Sequence, residues 1–311
     1  MASFIFAGHV VRAFSRKFSG EMLVFCLYSA VALSIACDRG AERTLPTVHD
    51  DFGQEVVPGV ARRIISLSPA TTEMLFAIGA GSRVIGRTSW DFYPDSAALV
   101  TDMGPGIRPN LEVVVAAKPD LVILYASADN RPAADRLRSL GIAVLAIKND
   151  SIGDLARTLR LLGIVTGDSV RPRIVADSVA ATLARVRAAT AGRSRPTAFW
   201  YIWDSPLITI GRGSFMSELL DIAGARNVYA DAIAPSPRVT LEDVVRRNPD
   251  LVIAGPDGTR NLRTDPRWRA LPAVAAGRIL IADTALVARP SVRLGEAAVS
   301  LARALHPGIG L

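Results

Sequence analysis

A chain of 311 residues, 50% apolar and 21% charged, is long enough for roughly two domains of about 150 residues, each with its own core. That composition belongs to folded globular proteins and excludes a chain disordered throughout. The formal net charge of +7 raises the question of nucleic acid, but the basic residues are nearly all Arg scattered among Asp and Glu, with no run or stripe that would track phosphates. Nucleic acid is therefore set aside as a partner.

In chain order, Arg12, Arg16 and Lys17 precede a stretch without charges from Met22 to Ala36. Its length suits the apolar core of an export signal and falls short of the ~20 residues that span a bilayer. Leu33-Ser34-Ile35-Ala36-Cys37 resembles the lipobox of bacterial lipoproteins, with Ser34 where that motif usually carries Leu. The resemblance implies lipidation at Cys37 and a membrane anchor; an ordinary secretory signal or an uncleaved anchor are the alternatives. Cys26 lies inside the apolar stretch, so a mature chain would have no internal disulfide. Residues 1–37 are thus read as a signal and 38–59 as a polar tether.

The remainder alternates strands and helices. Strands are expected at Arg63–Ser68, Val84–Gly86, Leu121–Tyr125 and Val144–Ile147, with helices at Thr71–Ile78, Leu111–Ala117, Arg131–Leu140 and Ser151–Val165. The pattern restarts with strands at Ala198–Trp203, Leu251–Ala254 and Ile279–Ala282 and helices at Phe215–Ala223, Leu241–Arg247 and Val292–Leu305. Between the halves, Pro172 suits a first helical turn, and Val175, Val179, Leu183 and Val186 recur at helical spacing. A helix over 168–191 would span on the order of 35 Å. The expected fold is α/β: two Rossmann-like lobes with parallel sheets (60–167 and 193–311), joined by one long α-helix (168–192), with a ligand cleft between them. A helical joint implies small tilting on binding rather than wide hinge closure.

One segment occurs twice. Asn110-Leu111-Glu112-Val113-Val114 through Pro119-Asp120-Leu121-Val122-Ile123 returns as Thr240-Leu241-Glu242-Asp243-Val244 through Pro249-Asp250-Leu251-Val252-Ile253. Each copy reads as a polar N-cap, a short helix, a Pro-Asp break and a buried strand. A repeat this widely spaced points to two similar lobes.

Ile64-Ile65-Ser66-Leu67-Ser68-Pro69-Ala70-Thr71-Thr72-Glu73, Tyr93-Pro94, Asn110-Leu111-Glu112 and Lys118-Pro119-Asp120-Leu121-Val122-Ile123 resemble the helical-backbone substrate-binding proteins of ABC importers, most closely the cobalamin-binding members. Relatives in that group bind ferric siderophores or haem. The resemblance implies a monomeric extracytoplasmic receptor that carries a small-molecule metal chelate to an ABC permease dimer, without a cofactor of its own. It also implies docking through one acidic residue per lobe, Glu112 and Glu242. An Asp or Glu in the first turn is in any case favoured by the helix dipole, by about 0.3–1 kcal/mol.

Ligand contacts are expected at the C-terminal ends of the strands, the binding edge of an open α/β sheet. There the sequence offers Ser68, Pro69, Trp90, Tyr93 and Tyr125 in the first half, and Trp203 and Arg238 in the second. Aromatic walls suit a flat macrocycle; Trp200 and Tyr201 read as strand packing. Arg87, Arg108, Arg212 and Arg238 could instead pair with an anionic chelate. The three histidines, His9, His49 and His306, are too dispersed for a free-metal site. For haem, Tyr93 or Tyr125 would have to replace His as axial ligand. The sequence has no Gly-x-Ser-x-Gly elbow and no His-Glu-x-x-His motif, so catalysis is not expected. A sensory ectodomain on the same fold is a further alternative.

Overall fold

The computed structural model describes residues 48–56 and 60–311. The expected export segment, Cys37 and the first part of the expected tether lie outside the described residues. The described part begins with a hairpin, β1 (Val48–His49) and β2 (Glu55–Val56). The first lobe follows as β3 (Ile64–Leu67), α1 (Pro69–Ala77), β4 (Val84–Arg87), α2 (Asp95–Ala98), β5 (Thr101–Asp102), α3 (Leu111–Ala116), β6 (Leu121–Tyr125), α4 (Arg131–Ser139), β7 (Ala143–Ile147) and α5 (Asp154–Thr166). Helix α6 (Val170–Thr190) leads to the second lobe. That lobe contains β8 (Thr197–Tyr201), β9 (Trp203–Asp204), β10 (Leu207–Ile208), α7 (Phe215–Ile222), β11 (Arg226–Asn227), α8 (Leu241–Arg247), β12 (Leu251–Ala254), α9 (Pro256–Thr264), α10 (Pro272–Ala275), β13 (Ile279–Ile281), α11 (Thr284–Val287) and α12 (Leu294–Leu305).

Each lobe is built on a parallel sheet, in the order β5-β4-β3-β6-β7 in the first and β11-β8-β12-β13 in the second. The expected α/β architecture is borne out. In both sheets the lobe's first strand lies inside, so the strand order reverses between β3 and β6 and between β8 and β12. Such a switch point leaves a crevice at the C-terminal ends of the two strands, because the crossovers on either side diverge.

Strand alternation explains how the lobes are held. Leu121 and Ile123 point to one face of β6 while Val122 and Leu124 point to the other. In β8, Ala198 and Trp200 face one core while Phe199 and Tyr201 face a second. The outer faces have separate cores, one containing Leu137 and Val114, the other Trp268 and Tyr229. The inner faces of both sheets share one continuous core with Val179, Leu183 and Val186 of α6. At ~1.5 Å per residue, the 21 residues of α6 span about 31 Å. Wide lobe separation would shear a close-packed interior, which favours small tilts.

Residues 48–56, expected to belong to a tether, are folded onto the edge strand β7. The Asp50 carboxylate is 5% exposed. Its Oδ1 accepts from the backbone N–H groups of Phe52 and Gln54, both at 2.9 Å, and its Oδ2 pairs with Arg138. The Asp51 N–H donates to the Ala146 carbonyl at 2.8 Å, the Asp51 carboxylate lies 3.1 Å from Arg157, and the Arg131 guanidinium sits 4.1 Å over the Phe52 ring. The hairpin thereby covers backbone groups that an edge strand would leave open. Asp50 meets a partner 88 residues away, a pairing that local polarity does not signal. Asp50→Ala leaves the half-buried Arg138 with only the exposed Asp135, 3.4 Å away, and two backbone N–H groups without their acceptor, and should cost about 2–3 kcal/mol. A thermal midpoint lowered by about 5–10 °C is expected; an unchanged melt would show that the hairpin contributes nothing to the fold.

Candidate functional site

The first lobe contributes two groups to its binding edge. Helix α1 starts two residues earlier than expected, with Ser68 as N-cap and Pro69 at the first helical position, where its missing N–H is harmless. The Ser68 carbonyl accepts from the hydroxyls of Thr71 (2.9 Å) and Thr72 (3.2 Å), while its own hydroxyl makes no capping bond. Tyr125 ends β6, beside this turn, and its phenol donates to Asp150 Oδ1 at 2.6 Å. Burial and the neighbouring Asp150 carboxylate push the phenol's pKa up, so it remains a neutral donor.

The loop after β4 is held from beneath. Asp91 Oδ2 accepts from both the N–H and the hydroxyl of Thr88 at 2.6 Å, and the Trp90 N–H donates to that hydroxyl at 3.2 Å. Burial pushes the Asp91 carboxyl up, against the pull of these bonds. With the turn pinned, the aromatic side chains that follow face outward: Trp90 is 61% exposed, Phe92 56% and Tyr93 41%.

In the second lobe a cavity of about 710 Å³ opens at the C-terminal ends of β8 and β12, against Thr284, Val287 and Ala288. Trp203, 61% exposed, forms part of its wall from the β9–β10 hairpin, and its indole N–H donates to the Ser205 carbonyl at 3.1 Å. Tyr201 and Trp200, buried as strand residues are, also line it. The Asn261 amide donates to the Tyr201 phenol oxygen at 2.7 Å. A Cβ at Gly258 would lie 2.7 Å from the Tyr201 ring, so only glycine lets α9 approach this closely. Among the described residues, the only charged side chains lining the cavity are Asp204 and Asp257.

The lobes meet at the turn between α11 and α12. Arg289 Nη1 lies 3.2 Å from Glu73 Oε1 of α1, and the Ser291 hydroxyl bonds the other oxygen of the same carboxylate. Burial pushes the Glu73 carboxyl up, against the opposing pull of Ser291 and Arg289. The Phe215 N–H donates across the junction to the Asp150 carbonyl at 3.2 Å. These bonds join α1 and the loop after β7 of the first lobe to the α11–α12 turn and α7 of the second, on the side where the ligand cleft is expected.

The predicted residues distribute unevenly around that cleft. Trp203 lines the cavity, whereas Ser68, Pro69, Trp90, Tyr93 and Tyr125 belong to the opposite lobe. Arg238 is exposed, bridges by backbone to Ile208, and lies outside the cavity wall. Arg87 is not free to clamp an anion, because its guanidinium donates to the carbonyls of Thr88 (2.7 Å), Ala98 and Val100 (3.1 Å each). Arg108 is paired with Asp129 at 2.7 Å. Sequence reasoning missed Glu73, Arg289 and the Gly255–Asn261 segment. Glycine and proline immediately after a strand at the switch point could have signalled that segment; Glu73 in an otherwise apolar helix was the other available clue. Among the described residues there is no cluster of three His, Cys, Asp or Glu that could hold a metal ion.

The duplicated segments fold alike. Asn110 caps α3 by accepting from the N–H groups of Glu112 and Val113, and Thr240 caps α8 by accepting from that of Asp243. Lys118 and Asn248 both end the turn at positive φ, 49° and 45°. Asp120 then accepts from the N–H groups of Arg62 and Arg63, and Asp250 from that of Thr197, so each copy locks onto the start of its lobe's first strand. Glu112 and Glu242 are exposed in the first turns of their helices. Glu242 is held below the usual carboxylate range by its own N–H and the Thr240 hydroxyl. Both helices run toward the N-terminal ends of the next strands, so their first turns lie on the binding-edge side of each lobe.

Comparison with known proteins agrees with this architecture. A vitamin B12-binding protein of Salmonella typhimurium is 33% identical over 208 residues, covering 67% of this chain and 77% of its own. The ABC transporter substrate-binding lipoprotein YvrC of Bacillus subtilis is 30% identical over 275 residues, covering 84% and 85%. A periplasmic heme binding protein from Pseudomonas aeruginosa superposes with a TM-score of 0.73 at 22% identity, covering 80% of this chain and 94% of that one, a likeness of fold. Residues 64–286 match the periplasmic binding protein family, and the chain belongs to it.

Proposed function

We propose that this protein is the extracytoplasmic substrate-binding component of an ABC transporter and that its cargo is a corrinoid. The observation that carries the choice of cargo is the cavity wall: the exposed Trp203 indole beside the buried Tyr201 and Trp200, with Asp204 and Asp257 as its only charges among the described residues. A corrin periphery is rich in neutral amides, whose N–H groups find acceptors in those carboxylates. The carboxylates and catecholates of ferric siderophores, and haem propionates, call for cations instead. Of the arginines near this edge, Arg87 is engaged on carbonyls, Arg108 on Asp129, Arg260 on Asp257, Arg267 on Asp265, Arg289 on Glu73 and Arg293 on Glu296, while Arg212 and Arg238 are exposed and lie outside the cavity wall. The 33% identical vitamin B12-binding relative supports the same reading.

A corrinoid is larger than the cavity alone, so its exposed side would rest on Trp90 and Tyr93 of the first lobe. No bond is made or broken; binding is followed by docking to a permease dimer through Glu112 and Glu242. Anchoring through Cys37 would keep the receptor at the membrane, in line with the lipoprotein relative. Among the described residues no helix is long and apolar enough to cross a membrane. The test is titration of residues 38–311 with cyanocobalamin, haemin and several ferric siderophores, read by Trp fluorescence. Saturable quenching by cyanocobalamin at the lowest concentration is expected. Tighter binding of haemin or a siderophore would replace the corrinoid assignment.

A further inference from the structure

The aromatic rim of the first lobe is held in place by the second. Arg289 Nη2 donates to the Trp90 carbonyl at 2.6 Å, and its guanidinium lies 5.8 Å from the Phe92 ring. Arg293 sits 4.2 Å over the Tyr93 ring. Neither arginine is loose: Glu73 holds Arg289 at 3.2 Å, and Glu296 holds Arg293 through two bonds of 3.0 and 3.1 Å. Between them, the Pro290 carbonyl accepts from the Asn149 side chain and Ser291 bonds Glu73. Arg289, Pro290, Ser291 and Arg293 of the turn between α11 and α12 thus each contact the first lobe.

We infer that Arg289 and Arg293 are positioning residues for the ligand: they fix the Trp90–Tyr93 rim in the pose that a flat ligand stacks on, and they tie that pose to the spacing of the lobes. The chemistry is specific to arginine. Its fork spans a buried carboxylate and a backbone carbonyl at once, and its planar face packs on aromatic rings. Without Arg289, the Trp90 turn keeps its bonds within Thr88–Asp91 and those of Ser89 to Gly104 and Asp102, but the Trp90 carbonyl loses its partner, and an indole freed by that loss must be ordered at each binding event. A change in lobe spacing moves Arg289 and so releases or grips the rim, which couples ligand stacking to closure.

The inference rests on the reading that the ligand stacks on Trp90, and the test separates the two. Glu73→Gln/Arg289→Met removes the bridge without stranding a buried charge; Arg289→Lys keeps a cation that reaches the Glu73 carboxylate or the Trp90 carbonyl but not both. The Trp90 signal is isolated by subtracting the same variants carrying Trp90→Phe. In ligand-free protein the double variant should show lower Trp90 anisotropy, and its Kd for cyanocobalamin should rise about tenfold, with Arg289→Lys between it and the parent. A folded double variant with parental Trp90 anisotropy overturns the inference, whatever its Kd. If the parent itself binds no corrinoid, the cargo assignment fails, and ligand-free Trp90 anisotropy still decides whether Arg289 positions the rim.

Discussion

Reversing both docking charges, Glu112→Arg with Glu242→Arg, is expected to reduce transport to background while leaving ligand affinity unchanged. Both carboxylates are exposed, and the bonds of Glu242 go only to its own N–H and the adjoining Thr240 cap. The cost to each helix is that of a cation in a first turn, about 0.3–1 kcal/mol, which a protein of this size tolerates. At a complementary basic pocket the same change replaces attraction by a like-charge contact worth several kcal/mol. At about 3 kcal/mol per site, docking weakens by roughly 10⁴. If the proposed permease is two-fold and offers the same pocket twice, either single reversal should leave partial uptake. Uptake assays in cells carrying the cognate permease, together with cyanocobalamin titration of each purified variant, decide the matter. Normal uptake by the double variant would remove Glu112 and Glu242 from the docking surface. Parallel losses of uptake and ligand affinity would place them in the binding site instead.

Removing both exposed indoles, Trp90→Ala with Trp203→Ala, should raise the Kd for the ligand by roughly 10³. Each side chain is 61% exposed in the free protein and stands to lose that exposure against a flat macrocycle. Burying about 80 Å² of indole contributes about 2 kcal/mol, a factor of about 30 per residue, and residues on opposite lobes should combine nearly additively. The fold should not suffer, because neither indole packs in a core and the Trp90 carbonyl that Arg289 grips survives the substitution. An intact thermal melt with a Kd within threefold of the parent would show that the cargo stacks elsewhere.

Much of the molecule was legible because it is local. The polar caps at Asn110 and Thr240, the helical spacing of Val179, Leu183 and Val186, and the apolar runs Ile64–Leu67 and Leu121–Tyr125 each express preferences of a few neighbouring residues. The duplicated segment went further, since two copies with the same cap, turn and strand require two lobes of one design. Placement of Ser68, Pro69, Tyr125 and Trp203 at strand ends followed from the rule that open α/β sheets bind ligands there.

By itself, the sequence determined the alternation of strands and helices, the two-lobe division, the joining helix and the acidic first turns of the repeated helices. Tertiary structure alone decided that residues 48–56 strap the edge of β7 and that Arg87 is spent on backbone carbonyls. It alone decided that the cavity wall comes from the turns after β12 and β13, and that Glu73 meets Arg289 across 216 residues of chain. The difference is physical. Periodicity and capping are set by backbone geometry within a few residues, whereas the partner of a buried charge is chosen by whichever group the folded chain brings near it.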